Sequence, residues 1–413
     1  MNFSTPEISR PIPGFQTPEE ELIAGEQLAC PRRSSAGPEL DALVSYQHAR
    51  SPKTASWLYR QNQPGCFEEW KRGLLRELRE ALVIPQALGA PADPVLIALY
   101  DRGDYIEEHV EISLTPPVRV MALVTIPKNG RKRHPALVML HSHGWLTLYG
   151  KEKFLPFEGE PAYLQKYRDD CYGGKALLAE FARAGYLCIA VDAIGFGMRM
   201  PRAAADPAEF DRMRRGLSAA EAGQATRELV TDQNQLIARM LGTVGLSMAS
   251  VTATDDLRTL DYLATRPDVD AARIGCAGLS MGSYRVHYLA ALDERIRAAV
   301  SACWISTHEG IVDYNIPNSM GFFALPGALY RHYDLCDLPA AIAPKPFLAI
   351  SGWKDILMEP RGAAASHRAF RRAWEAAGAP RNLGSLIYDA PHEFNGAMQA
   401  KALEFLATFL GKG

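Results

Sequence analysis

The sequence lacks the features that would indicate nucleic-acid or membrane partners. Its 45 basic residues are offset by 47 acidic ones, which gives a formal charge of −2, and the basic triplet at 131–133 stands alone. No stretch approaches the eighteen consecutive apolar residues that a membrane span requires. We therefore predict no nucleic-acid partner and no membrane partner.

Paired cysteines and a secretion signal are also missing. The seven cysteines are odd in number, show no Cys-x-x-Cys spacing, and include Cys188, Cys276 and Cys303 inside apolar segments. Residues 1–16 contain three prolines and no apolar core of the kind found in signal peptides. Buried, reduced thiols in a cytoplasmic protein are the interpretation we favour.

Strand-like and helix-like segments alternate along most of the chain. Strands are expected at 105–114, 118–126, 135–141, 186–191, 273–277, 298–304, 346–351 and 383–388. Helices are expected at 174–184, 249–264, 284–292 and 398–410, preceded by a helix with one apolar face formed by Trp70, Leu74, Leu78 and Leu82. This order predicts an α/β fold with a mostly parallel central sheet and helices on both faces.

The predicted domain organisation is one large catalytic domain with an extension in front of it. Residues 1–100 are expected to form an arm and a helical extension packed on the core, and residues 101–413 the domain itself. Two segments, at about 196–245 and 308–339, do not fit the alternating pattern and follow strand ends. Because ligands bind at the carboxyl edge of such sheets, these cap-like insertions are candidates for the walls of a substrate pocket.

The pentapeptide Gly278–Gly282 carries the strongest functional signal. It reads Gly-Leu-Ser-Met-Gly and connects an apolar strand directly to a helix. Such a strand-to-helix turn exposes a serine nucleophile, here Ser280, and small flanking residues allow its tight geometry. A near-copy at 245–249 ends in alanine and follows no β-branched strand, so we interpret Ser247 as a residue at a helix start.

A base and an acid for this serine are expected in loops after the last two strands. His392 follows strand 383–388, and Asp355 follows strand 346–351. The chain order serine, acid, histidine is that of α/β-hydrolases. Several other residues remain as rivals: Glu359, Glu309 and Asp313 for the acid, and, among the histidines, His287 and His367 in helical patterns and His308 and His332 in the second insertion. Asp355 could alternatively cap the helix that follows it.

An oxyanion hole requires two hydrogen-bond donors. The backbone N–H of Met281 is one candidate, and the N–H of Gly144 or Trp145, in the loop His141-Ser142-His143-Gly144-Trp145, is the other. Two closely spaced histidines could instead bind a metal, but no third histidine or cysteine lies nearby in the sequence. We predict no metal and no cofactor.

On these motifs the chain resembles the dienelactone-hydrolase-like and acetyl-xylan-esterase-like bacterial branch of the α/β-hydrolases. The resemblance covers residues 100–410 and also rests on the segments 149–153, 184–197, 256–263 and 266–270. It implies a serine carboxylic-ester hydrolase. Two departures stand out: dienelactone hydrolases use cysteine where this chain has Ser280, and Trp145 stands where the branch has glycine.

The predicted reaction is therefore ester hydrolysis through an acyl-enzyme on Ser280, with a small-molecule ester as substrate. The same triad could instead cleave an amide, a thioester or a carbon–carbon bond, and a non-catalytic binding scaffold is a third alternative. By position alone, His143, Tyr149, Trp304, His308 and Phe322 are candidate pocket residues, although core packing explains the aromatic ones equally well. The N-terminal extension is compatible with a homodimer.

Overall fold

A nine-stranded mixed sheet forms the centre of the fold. The computed structural model describes residues 56–57, 66–85, 92–115, 118–201, 216, 219–312, 329 and 332–411. The strands are Val95–Asp101 (β1), Tyr105–Ser113 (β2), Arg119–Pro127 (β3), His134–Leu140 (β4), Leu187–Val191 (β5), Val269–Leu279 (β6), Ile296–Ala302 (β7), Phe347–Gly352 (β8) and Leu383–Tyr388 (β9).

The strand order is β1-β2-β3-β5-β4-β6-β7-β8-β9. The pairs from β1 to β5 at one end are antiparallel, and the six strands from β5 to β9 are parallel. In β6 and β7, Gly278 is paired with Ser301 and Leu279 with Ala302, so both strands end at the same edge. That shared carboxyl edge is where the candidate catalytic loops begin.

Ten helices of the described residues surround the sheet. They are Phe67–Ala81 (α1), Ala162–Tyr172 (α2), Leu177–Arg183 (α3), Ala219–Gly242 (α4), Met248–Thr265 (α5), Met281–Leu292 (α6), His308–Val312 (α7), Asp337–Ala340 (α8), Pro360–Ala376 (α9) and Gly396–Leu410 (α10). None of these helices combines the length and the apolar character needed to cross a bilayer.

The hydrophobic core lies in two layers, one on each face of the sheet. One layer packs side chains of α1, α5, α6 and α9 against the strands, and the other packs side chains of α2, α3 and α10. Strand β4 is buried along its whole length, as expected for a strand covered on both faces. The predicted α/β class, with a mostly parallel sheet and helices on both faces, is confirmed.

Most of the predicted elements lie where the sequence places them, and their observed ends differ from the predicted ends by a few residues. The apolar stripe of α1 is buried as expected, with Leu74, Leu78 and Leu82 fully inaccessible. Strand β6 is longer than the predicted segment 273–277. The expected strand 298–304 ends instead at Ala302, because Cys303 adopts a positive φ of 57°, which a strand does not accommodate.

Several described elements are absent from the sequence-based prediction, among them β1, α2 and the short helices α7 and α8. Strand β1 is an unbroken apolar run on an exposed edge, so it has no alternation by which to recognise it. Helix α2 buries Arg168 between Leu164 and Tyr172, and a charged residue in the inward face hides the apolar stripe of that helix.

The second serine pentapeptide has a structural role, as expected. Ser247 is the N-cap of α5 and exchanges hydrogen bonds with Ser250 in a capping box. Its side chain is therefore occupied in starting a helix.

Candidate active site

Ser280 lies at a strained turn between β6 and α6. Its φ of 60° and ψ of −122° fall outside the regions that a residue with a side chain ordinarily adopts. Backbone strain of this kind is commonly found at functional sites. The Ser280 N–H donates to the carbonyl of Ala302 at 2.8 Å, which ties the turn to the end of the neighbouring strand β7.

Both glycines of the pentapeptide are required by close backbone contacts. A Cβ on Gly278 would lie 2.4 Å from the carbonyl carbon of Gly282, and a Cβ on Gly282 would lie 1.8 Å from the carbonyl oxygen of Leu140. The second contact also places the loop that follows β4 against the turn that carries Ser280. The small residues expected at these positions are thus explained by the packing.

His392 and Asp355 form a direct pair across two neighbouring loops. His392 Nδ1 lies 2.6 Å from Asp355 Oδ2, and the Asp355 side chain is almost fully buried. His392 Nε2 is buried and has no hydrogen-bond partner among the described residues. An imidazole whose Nδ1–H donates to a carboxylate presents an unprotonated Nε2, which is the form a general base requires.

Cys303 lies close to this pair and directly follows the strand end that binds the serine turn. Sγ is within 4.8 Å of the nearest ligand atoms of Asp355 and His392, and Cys303 directly follows Ala302, the partner of Ser280. The structure thus brings Ser280, Asp355 and His392 to one part of the sheet edge. Ser280 Oγ and His392 Nε2 are not hydrogen-bonded to each other, and such contacts are often long in structures without substrate.

Asp355 and its rival Glu359 perform different tasks. The second oxygen of Asp355, Oδ1, accepts hydrogen bonds from the N–H groups of Leu357 at 2.8 Å and Met358 at 3.2 Å. Glu359 is the N-cap of α9 and accepts from the N–H of Gly362. Asp355 therefore does not cap that helix, and two backbone donors hold its carboxylate facing His392.

Two of the other histidines belong to the core. His287 Nε2 lies 2.8 Å from Ser301 Oγ, and His367 lies between two serine hydroxyls, Ser351 Oγ at 2.9 Å and Ser385 Oγ at 2.7 Å. Burial lowers the pKa of both histidines to about 3. Both are held neutral inside the fold and lie on helices, as the helical patterns around them predict.

The loop after β4 has two consecutive residues in the left-handed region. Gly144 has a φ of 59° and Trp145 a φ of 56°. The Trp145 N–H donates to His143 Nδ1 at 3.2 Å, whereas the Gly144 N–H has no partner among the described residues. Of the two predicted oxyanion donors in this loop, Gly144 is thus the uncommitted one.

Of the two histidines in this loop, His141 is buried and His143 is half-buried, and both are neutral. The Ala193 N–H donates to His141 Nε2 at 3.0 Å, so His141 carries its proton on Nδ1 and donates to the Ser142 carbonyl. Burial lowers the pKa of His141 well below its usual value, and burial with the nearby Lys153 lowers the pKa of His143 to about 3.

Several buried charged side chains lie close to the loop that follows β4 or to the residues that contact it. Lys151 Nζ pairs with Asp192 at 2.6 Å and with Glu152 at 2.7 Å. Further buried pairs are Arg285–Asp256 at 2.6 Å and Arg199–Asp255 at 2.6 Å. Lys153, also fully buried, donates to the carbonyls of Ser142 at 2.8 Å and His143 at 2.7 Å. The sequence alone indicates no role for these residues, because the segment 149–153 contains no motif whose chemistry can be recognised without its contacts.

The described candidate pocket residues each contact different neighbouring side chains. His143 packs edge-on against Trp145 and Phe196, and Nδ2 of Asn234, on helix α4 of the first insertion, lies 3.4 Å from its Nε2. Tyr149 contacts Phe157 and Tyr163, and Trp304 packs on Tyr284. The His308 N–H donates to Asp334 at the start of α7. Phe322 lies outside the described residues.

The cluster Cys303, Asp355 and His392 is the one group of potential metal ligands within the part of the chain that the structure describes. Burial raises the pKa of the Cys303 thiol well above its usual value, which disfavours the thiolate that a metal would need. The His392 Nδ1 and the Asp355 carboxylate are already bonded to each other. The donor set therefore fits an acid–base pair better than a metal centre.

A serine at a strand-to-helix turn, a histidine–aspartate pair after the last two strands and a mixed sheet of this order together define an α/β-hydrolase. A profile of the Abhydrolase family matches residues 50–397. The chain belongs to that family, and the family predicted from the sequence is confirmed.

Known proteins and structures are similar to this chain at low sequence identity. YtaP of Bacillus subtilis (strain 168), a candidate hydrolase, is 25% identical over 320 residues, which is 78% of this chain and 93% of that protein. A candidate acetyl xylan esterase from Bacteroides fragilis NCTC 9343 superposes with a TM-score of 0.63 at 20% identity, over 84% of this chain and 81% of the other. A glucuronoyl esterase from Solibacter usitatus gives 0.55 at 16% identity, over 84% and 93%.

Proposed function

We propose that this protein is a carboxylic ester hydrolase that works through a Ser280–His392–Asp355 triad and an acyl-enzyme. The observation that carries the proposal is the 2.6 Å contact between His392 Nδ1 and Asp355 Oδ2. This contact leaves His392 Nε2 without a hydrogen-bond partner among the described residues, at the sheet edge that also carries the strained Ser280 turn. The choice of an ester is supported by the esterase descriptions of similar structures from Bacteroides fragilis and Solibacter usitatus.

In the proposed reaction, His392 Nε2 takes the proton of Ser280 as Oγ attacks the ester carbonyl. The oxyanion that forms accepts hydrogen bonds from the N–H of Met281 and from the loop after β4. Protonated His392, stabilised by Asp355, then gives its proton to the leaving alcohol. Water enters, and His392 removes its proton as the water oxygen attacks the acyl carbonyl. His392 then returns that proton to Ser280 Oγ as the acyl group leaves as a carboxylic acid.

The chain supplies its own matched control for a test of this proposal. Ser280 and Ser247 occupy nearly identical pentapeptides, but Ser247 caps α5. We expect Ser280→Ala to lower p-nitrophenyl acetate hydrolysis by several orders of magnitude. We expect Ser247→Ala to keep kcat within about twofold and to lose only the cap, roughly 1 kcal/mol of stability.

A substrate panel addresses the alternatives. Equal loss of activity in both serine variants, or full activity in Ser280→Ala, would rule out Ser280 as the nucleophile. If Ser280 reacts with a fluorophosphonate but the protein turns over no ester, the triad acts on another bond, and amide and thioester substrates are tested next. The cytoplasmic location and the homodimer stay predictions from the sequence.

A further inference from the structure

Lys153 is a fully buried lysine whose partners are carbonyl oxygens. Its Nζ donates to Ser142 O and His143 O, and among the described residues no carboxylate oxygen lies within 4 Å of it. Lys151, two residues earlier, is buried to a similar degree but pairs with Asp192 and Glu152. Burying a cation without a paired carboxylate costs free energy, so a position beside an active site suggests a functional reason.

The two carbonyls that bind Lys153 belong to the peptides that orient the candidate oxyanion donor. A trans peptide is planar, so its N–H points opposite to its C=O. The carbonyl of His143 shares a peptide with the N–H of Gly144. By binding that carbonyl from the buried side, Lys153 directs the Gly144 N–H away from the protein interior.

Aromatic rings also pack against this loop and against the Lys153 ammonium. A Cβ on Gly144 would lie 2.4 Å from the ring of Tyr167, so the Gly144 backbone rests on that ring. The Lys153 ammonium lies 4.8 Å from the ring centre of Phe196 and 5.6 Å from that of Tyr167. A loop with two successive left-handed residues, one of them a tryptophan, needs such support.

We propose that Lys153 is a positioning residue of the oxyanion hole, which holds the His143–Gly144 peptide so that the Gly144 N–H faces the carbonyl oxygen of the substrate. This inference rests on the proposed serine mechanism and assigns the second donor to Gly144 rather than Trp145. Lys153 itself touches no reacting atom; it acts through the peptide that it binds.

The surroundings also make the charge of Lys153 sensitive to pH. Burial lowers the pKa of Lys153 to about 7, while Asp192, Cys171 and Glu152 act to raise it and Arg285 to lower it further. A neutral amine still has two N–H donors for the two carbonyls. Loss of the charge above about pH 7 should therefore weaken oxyanion stabilisation without releasing the loop.

The test compares Lys153→Met with Lys345→Met. Lys345 is a matched control because its Nζ also donates to two backbone carbonyls, Ala290 O at 2.8 Å and Asp293 O at 2.9 Å. Those carbonyls lie at the far end of α6 from Ser280. Each variant is examined for kcat and KM with p-nitrophenyl acetate, for inhibition by a trifluoromethyl ketone, and for hydrogen exchange of peptides covering residues 141–150.

We expect Lys153→Met to lower kcat about 10- to 100-fold with little change in KM. The inhibition constant of the trifluoromethyl ketone, which forms a tetrahedral oxyanion on serine, should rise by the factor by which kcat/KM falls. Exchange in residues 141–150 should accelerate. Lys345→Met should lower the melting temperature. Its kcat, its inhibition constant for the ketone and its hydrogen exchange in residues 141–150 should stay near those of the unaltered protein.

Two results separate failure of this inference from failure of the proposed function. A Lys153→Met variant whose kcat and ketone inhibition match those of Lys345→Met would reduce Lys153 to a structural role, with the serine mechanism intact. An unaltered protein that neither hydrolyses esters nor reacts with a fluorophosphonate would instead overturn the proposed function. In that case, unchanged exchange in residues 141–150 of Lys153→Met would overturn the positioning role as well.

Discussion

The substitution Asp355→Asn should place the proton of His392 on the wrong nitrogen. Oδ1 of Asp355 accepts hydrogen bonds from the N–H groups of Leu357 and Met358. In the asparagine variant, the side-chain oxygen would occupy the position of Oδ1, because only an oxygen can accept these two hydrogen bonds. The asparagine NH₂ would then face His392 Nδ1. Since two donors cannot face each other, Nδ1 would lose its proton and Nε2 would gain it.

A protonated Nε2 cannot accept the proton of Ser280, so the base is lost although its position is kept. The equivalent exchange in a known serine protease lowers kcat about 10⁴-fold, which corresponds to about 5.4 kcal/mol of transition-state stabilisation. We expect a loss of that order here. The assay is p-nitrophenyl acetate hydrolysis, with thermal unfolding followed by circular dichroism to confirm that the variant folds.

Glu359→Gln is the matched control, because Glu359 is the neighbouring carboxylate and the other acid candidate. A glutamine keeps an oxygen that can accept from the Gly362 N–H at the start of α9. We expect its kcat to stay within about twofold of the unaltered protein. A large loss in Glu359→Gln together with normal activity in Asp355→Asn would refute the assignment of the acid and the tautomer reasoning with it.

Further predictions concern the packing and the titration of buried groups. Gly282→Ala should lower the free energy of unfolding by about 3 kcal/mol or more, or prevent folding, because its Cβ would meet the Leu140 carbonyl. Gly396→Ala has open space around its Cβ and should not destabilise the protein. Urea unfolding measures both effects. Burial lowers the pKa of His287 and of His367 to about 3. As the pH falls, the unfolded chain therefore binds protons at these two histidines at a higher pH than the folded protein does. The free energy of unfolding should therefore be fully present above about pH 6.5 and fall as the pH drops towards 3, with a shallower slope in His367→Gln. Iodoacetamide at about pH 8 should leave Cys303 unmodified and the activity unchanged, because burial keeps the thiol protonated; peptide mapping by mass spectrometry checks this.

Local sequence features are sufficient to predict the fold and to propose the residues of the triad. Gly278–Gly282, Asp355 and His392 each follow a buried strand, and parallel strands end at one edge of a sheet. Their convergence can therefore be expected from strand order without any contact being known. The difference between Ser280 and Ser247 was also visible, because only the first follows a strand of buried, β-branched character.

Long-range contacts account for what the sequence did not reveal. The role of Lys153 depends on two carbonyls ten or eleven residues away and on rings from other segments, and no local pattern encodes such a meeting. The assignment of the second oxyanion donor to Gly144 rather than Trp145 also depends on a contact that the sequence does not indicate, the hydrogen bond from the Trp145 N–H to the His143 ring. Edge strand β1 is not recognisable from the sequence, because its side chains alternate neither in character nor in burial.

The central claim, that Ser280 is the nucleophile of a serine hydrolase, is tested most directly by locating a fluorophosphonate adduct. The protein is treated with the probe, digested, and the modified peptide is identified by mass spectrometry, with Ser247→Ala and Ser280→Ala treated in parallel. The account predicts one adduct, on Ser280, in the unaltered protein and in Ser247→Ala, and none in Ser280→Ala. An adduct on another residue, or an equally modified Ser280→Ala variant, would contradict it.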